Sequence, residues 1–134
     1  MLQQNKTIES DNWVEQAEHY WSKSNKSKKA ARNTLSYIEK ALQLNPLNYK
    51  AWADKGFILK QLGEFESALL CLDRALLLNN NFISPLYNKG VLLGLMGKFN
   101  EALIYYDRVL KIEPDHQLAT RDKQVLLQII NKKK

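Results

Sequence analysis

The sequence overlies itself when shifted by 34 residues. Tyr49–Phe82 set against Ile83–His116 gives ten identities without a gap: Lys55/Lys89, Gly56/Gly90, Leu59/Leu93, Gly63/Gly97, Phe65/Phe99, Ala68/Ala102, Leu69/Leu103, Asp73/Asp107, Arg74/Arg108 and Leu76/Leu110. Elsewhere apolar residues replace apolar residues, as in Leu62/Met96, Leu72/Tyr106 and Leu78/Ile112. Such a chain builds its fold from copies of one small unit, each burying its apolar face against the next.

The spacing inside the unit predicts two helices. Trp52, Leu59 and Leu62 recur at helical intervals, as do Leu69, Leu72, Ala75 and Leu76. Gly56 and Gly90 fall inside the first helix, where a glycine costs about 1 kcal/mol relative to alanine, so close packing is the expected reason for them. Ala68 and Ala102 are the small residues of the second helix. Gly63 and Gly97 end the first helix, where a left-handed residue is needed. Phe65 and Phe99 plug the turn. Pro46 and Pro114 mark exits from second helices, because proline cannot continue a helix. Asn80 holds that station in the middle unit, within the turn-forming run Asn79–Asn81.

Period, unit and the residues Trp52, Gly56, Ala68, Ala102, Tyr106 and Pro114 resemble the tetratricopeptide-repeat (TPR) signature over residues 49–116. Lys55 and Lys89 stand where the family usually has leucine, and Leu59 and Leu93 where it usually has tyrosine. The RNA-reading pentatricopeptide class has a similar length, but the paired glycines, turn glycine and exit proline favour TPR. The resemblance implies an all-α fold: a right-handed α-solenoid of antiparallel helix pairs, three TPR units plus a C-terminal capping helix, about seven helices.

The outer segments fit less closely. Leu44, Ala41 and Ile38 keep the second-helix spacing back from Pro46, and Trp13, Ala17 and Tyr20 match a first helix. The two halves agree only with about five extra residues near Ser22–Lys29. The expected organisation is one TPR domain over 1–134. It has a degenerate repeat at 10–48 with an extended basic inter-helix loop, repeats at 49–82 and 83–116, a capping helix at 117–131 and a basic tail at 132–134.

The net charge of +6 is local. Lys23, Lys26, Lys28, Lys29 and Arg32 form one basic patch, and Lys132, Lys133 and Lys134 form the tail. Setting those eight aside leaves 12 basic against 14 acidic residues. Residues 1–10 are polar and have no signal-like apolar stretch. No apolar run approaches the length of a membrane span. The single cysteine, Cys71, reads as a small buried hydrophobe and suits a reducing, cytoplasmic compartment.

No catalytic constellation appears, and the expectation is a non-enzyme without cofactor or metal. His19 and His116 fall at opposite ends of the repeat array. His19 with Glu15 makes at most a weak metal site, and a solvated helix face is the simpler reading. The glycines are accounted for by packing and turns rather than by a phosphate loop.

The resemblance implies a concave groove lined by first helices and filled by an extended peptide or a helix. Its stations in this chain are Val14, Glu18 and Trp21; then Lys50, Ala53, Asp54, Phe57, Lys60 and Gln61; then Ser84, Tyr87, Asn88, Val91 and Leu95; and Leu118, Arg121, Asp122 and Val125 from the cap. Family members that hold acidic chaperone tails use a Lys/Asn/Arg clamp. Here those stations carry Val14, Glu18, Asp54, Ser84 and Asn88, so no such clamp is expected. Aromatic and apolar groove residues point to an amphipathic helix or apolar peptide from a protein partner.

Two other functions compete with this one. The basic patch and tail could hold nucleic acid or another acidic surface, although a lysine-rich loop is more often simply solvated. Val125, Ile129 and Ile130 could leave apolar surface on the last helix for self-association, giving a monomer or weak homodimer. No membrane partner is expected.

Overall fold

In a computed structural model that describes residues 1–133, the chain forms seven α-helices and, among the described residues, no strand. They are α1 (Leu2–Lys23), α2 (Lys28–Leu44), α3 (Tyr49–Gln61), α4 (Phe65–Leu78), α5 (Ile83–Leu95), α6 (Phe99–Ile112) and α7 (Gln117–Lys132). Helices α3, α5 and α7 begin 34 residues apart, and so do α4 and α6. The chain forms two compact units, Met1–Asn80 and Asn81–Lys134.

Local chemistry sets the helix ends. The Ser27 hydroxyl and the Asn48 side-chain oxygen accept from the amides of Ala30 and Ala51, capping α2 and α3. At the foot of α3 the amide of Glu64 donates to the Leu59 carbonyl (2.9 Å) and that of Gly63 to the Lys60 carbonyl (2.9 Å). Lys98 and Gly97 repeat the pattern on Leu93 (2.9 Å) and Gly94 (3.1 Å) at the foot of α5. This arrangement satisfies carbonyls that a helix end leaves free, and it needs a left-handed residue. Gly63 and Gly97 supply it, both at φ 79°.

The first unit packs α1 on α2, α2 on α3 and α3 on α4. Val14, Ala17, Ala31, Ile38, Ala41, Leu42, Ala51 and Ile58 form its core, flanked by Trp13, Trp21, Trp52 and Phe57. Ser10 and Asn48 are buried polar residues, and they satisfy each other. The Ser10 hydroxyl donates to the Ala41 carbonyl (2.7 Å), and Asn48 Nδ2 donates to Ser10 Oγ (2.9 Å) and Asp11 Oδ1 (3.0 Å). This node ties α1 to the turn between α2 and α3. Cys71 is buried, as its neighbours suggested, and burial pushes its thiol up.

The second unit packs α5 on α6 and α6 on α7. Leu86, Leu92, Leu93, Ala102, Tyr106, Val109, Ala119 and Leu126 are buried in it. On α7 it is Leu126 that turns inward, while Val125 remains 48% exposed.

The connection between α1 and α2 is shorter than the sequence suggests. It holds only residues 24–27, so Lys28, Lys29 and Arg32 lie on the first turns of α2 and Lys23 ends α1. The extra residues extend α2 backwards as helix, because Ser27 caps it there. Helix α1 also begins at Leu2, ahead of the expected start of the first repeat. Lys132 of the tail belongs to α7, and the Lys133 ammonium lies 4.8 Å from the centroid of the Phe99 ring. Lys134 lies outside the described residues.

Gly56 and Gly90 sit where two helices touch. A Cβ on Gly56 would lie 2.6 Å from Leu72 Cδ2 and 3.2 Å from the Ala68 carbonyl oxygen. One on Gly90 would lie 2.8 Å from Tyr106 Cε1. At Gly63 there is open space, so only its backbone conformation resists substitution. Gly56→Ala therefore lowers the unfolding free energy by about 1–3 kcal/mol through overpacking, and Gly63→Ala by about 1 kcal/mol through left-handed strain. Urea denaturation followed by circular dichroism checks both values.

Candidate functional site

Helices α1, α2 and α3 enclose a cavity of about 190 Å³ in the first unit. Ala17, Glu18 and Trp21 come from α1, Thr34 and Ile38 from α2, and Asp54, Phe57 and Ile58 from α3. Trp21 and Phe57 meet edge to face, with ring centroids 6.2 Å apart. Trp21, Asp54 and Phe57, all read from the sequence as ligand-facing, thus share one cavity. Thr34 and Ile38 were missed. They lie four apart on a second helix, and the repeat pattern directs attention to first helices alone.

Asp54 is the electrostatic oddity of the cavity. Burial, then the charge of Glu18 and a hydrogen bond with Glu18, push its carboxyl from 3.8 up to about 8, against the pull of Lys50. Ionised carboxylates only accept, so a bond between these two needs a proton on one of them. With both ionised, the buried Asp54 Oδ2 has no donor.

The lysines of this face are arranged around the aromatics. Lys50 is exposed at the start of α3. The Lys60 ammonium lies 5.0 Å from the Phe57 centroid, and partial burial pulls its pKa down. The Lys26 ammonium lies 5.1 Å from the Trp21 centroid. It also donates to the carbonyls of Trp21, Ser22 and Ser24, closing the end of α1 from a left-handed backbone at φ 60°. All five residues of the basic patch are exposed, and Lys26 donates its ammonium within the chain. Two groove stations of this unit, Val14 and Ala53, are core residues at 3% and 1% exposure, and neither is available to a ligand.

In the second unit α7 engages the groove stations of α5. The Tyr87 hydroxyl donates to Asp122 Oδ2 (2.6 Å), and its ring lies 5.3 Å from that of His116. Burial, then the Asp122 hydrogen bond and charge, push Tyr87 up to about 12. Arg121 is exposed and donates from Nε to Asp122 Oδ1 (3.2 Å). Asn88 is buried on α5, Val91 is half-buried, and Leu95 and Val125 are exposed. His116 caps α7, its Nδ1 accepting from the Ala119 amide (3.1 Å). Ile129 and Ile130 are half-buried.

Among the described residues no group of three or more His, Cys, Asp or Glu could hold a metal ion. No helix among them is long and apolar enough to cross a membrane.

Profiles of the tetratricopeptide repeat match residues 37–69 and 84–116. With the paired helices, left-handed turn glycines and buried small residues, they make this chain a member of the TPR family. An uncharacterised protein of Methanocaldococcus jannaschii is 35% identical over 63 residues, which cover 46% of this chain and 73% of that protein. The first TPR of Spaghetti (RPAP3), solved bound to the HSP90 peptide SRMEEVD, superposes with a TM-score of 0.84 at 19% identity, covering 93% of this chain and 98% of that one. YrrB, described as a TPR protein with an unusual peptide-binding site, gives 0.66 at 26% identity over 72% of this chain and 50% of its own.

Asp54 makes stability depend on pH. Between 3.8 and about 8 the folded chain keeps a proton that the unfolded chain has lost. The stabilisation is complete below that window and is lost as pH rises through it. Asp54→Asn removes the loss. At pH 8.5 the variant melts higher than the parent chain, at pH 4 the two nearly coincide, and thermal melts across this range read the difference.

Proposed function

We propose that this protein is a non-catalytic protein-interaction scaffold that takes one apolar or amphipathic peptide segment on the α1–α3 face. The observation that carries this reading is the cavity walled by Trp21 and Phe57, since partly exposed aromatics in a concavity carry much of the energy at protein interfaces. The likeness to YrrB and to the Spaghetti domain, each a peptide binder by its description, supports the class of partner.

The SRMEEVD peptide bound by the Spaghetti domain is rich in acid. A tail of that kind would bring its carboxylates towards Glu18, whose charge already helps push the Asp54 carboxyl up. The reading therefore excludes an acidic tail from this face. The nucleic-acid alternative has Lys26 donating to the carbonyls at the end of α1 rather than standing free.

An array of amphipathic peptides probed with the parent chain and with Phe57→Ala tests the proposal. Bound peptides weaken about tenfold or more in the variant. Phe57→Leu, which keeps the core filled, controls for folding together with helical circular dichroism. Equal capture of the same peptides by a folded Phe57→Ala chain rules the face out.

A further inference from the structure

The cavity is apolar along its walls and acidic at one point, an arrangement that suits a ligand with a hydrocarbon stem and a cationic head. Trp21 and Phe57, both half-buried, offer surface to the stem, with the buried Ile38 and Ile58 behind them. Glu18 from α1 and Asp54 from α3 supply two carboxyl groups for the head, and α2 adds only Thr34 and Ile38, neither charged. Lys50, whose charge acts on Asp54, leaves Asp54 Oδ2 without a donor.

We infer that this cavity is a lysine-anchor site: it takes one lysine side chain from a peptide partner, methylenes against Trp21 and Phe57 and ammonium between Glu18 and Asp54. The inference rests on the scaffold reading above and gives the partner its chemistry. Three features argue for it. A cavity of about 190 Å³ takes a side chain rather than a peptide segment. The aromatic faces around it already hold ammonium groups, Lys60 on Phe57 and Lys26 on Trp21. An ammonium brings three donors to a site that lacks one.

The Asp54 carboxyl holds a proton up to about pH 8, and a bound ammonium takes the place of that proton. Affinity for the lysine peptide therefore rises as pH climbs towards about 8 and then levels off, while an uncharged analogue shows no such rise. The charged groups around the head are Glu18 on α1, Lys26 beside Trp21 in the α1–α2 connection, and Asp54, Lys50 and Lys60 on α3.

The test uses the full chain and a fluorescent amphipathic peptide, acetyl-AALAKALAA-amide, with its lysine replaced in turn by norleucine, acetyl-lysine and glutamate. The lysine form binds about tenfold or more tightly than the other three, and Asp54→Asn and Glu18→Gln erase that preference while circular dichroism remains helical. n-Butylammonium chloride at about 0.1 M, a millimolar-to-molar probe of the head alone, shifts the side-chain carboxyl NMR signals of Asp54 and Glu18. Equal binding of lysine and norleucine peptides overturns the inference. If Phe57→Ala still weakens both, the scaffold reading survives without it. Unmoved carboxyl signals also overturn the inference. So does a self-association that Asp54→Asn abolishes in the absence of any peptide preference, because the occupant is then a second copy.

Discussion

At Gly56 the backbone of α3 comes so near α4 that one added carbon would lie 2.6 Å from Leu72, and at Gly90 the approach of α5 to the Tyr106 ring is as close. At Gly56 the Ala68 carbonyl oxygen also lies within 3.2 Å of the added carbon, and Ala68 and Ala102 are fully buried in the second helices. The tight pairing explains why large apolar side chains such as Leu72 and Tyr106 can cross from one helix to the next and be covered. It also fixes the turn, because two helices so close leave room only for the short left-handed connection that Gly63 and Gly97 make.

The lysines at the usual leucine station become intelligible in that frame. Lys55 pairs with Glu39 at 2.7 Å and lies 5.4 Å from the Trp52 ring centroid, where Arg74 also stacks at 4.8 Å. Lys89 and Arg108 flank Tyr105 in the same manner, at 4.5 and 5.3 Å. A leucine would fill such a place by burial alone. A lysine fills it with its methylene stem and keeps its charge at the rim, above an aromatic face. The identities Lys55/Lys89 and Arg74/Arg108 thus set two cations about one aromatic ring in each repeat, although the ring comes from α3 (Trp52) in one and from α6 (Tyr105) in the other.

The polar parts of the structure divide into satisfied and unsatisfied. Ser10 and Asn48 are buried, bonded to each other and tied to α2 and α3, so their polarity serves the fold. Asp54 is different, since its nearest acidic neighbour is a like charge and one oxygen lacks a donor. A fold gains nothing in stability from that pairing above the pH at which it ionises. The tension sits in the same cavity as the aromatic walls.

By itself the sequence determined the period, the helix pairs, the turn glycines and the close-packed Gly56 and Gly90, because each of these is a local or repeat-level demand that one residue type meets. Through the family pattern it also named Trp21, Asp54 and Phe57 as expected groove stations, and these three line one cavity. Only the tertiary structure decided that Val14 and Ala53 are core, that Lys26 is spent on α1, that the basic stretch is mostly the start of α2, and that Tyr87 is engaged by Asp122. Those outcomes depend on which neighbour lies within a few ångströms in space, and residues such as Tyr87 and Asp122, 35 apart in the chain, reveal their hydrogen bond only when α5 and α7 have folded together.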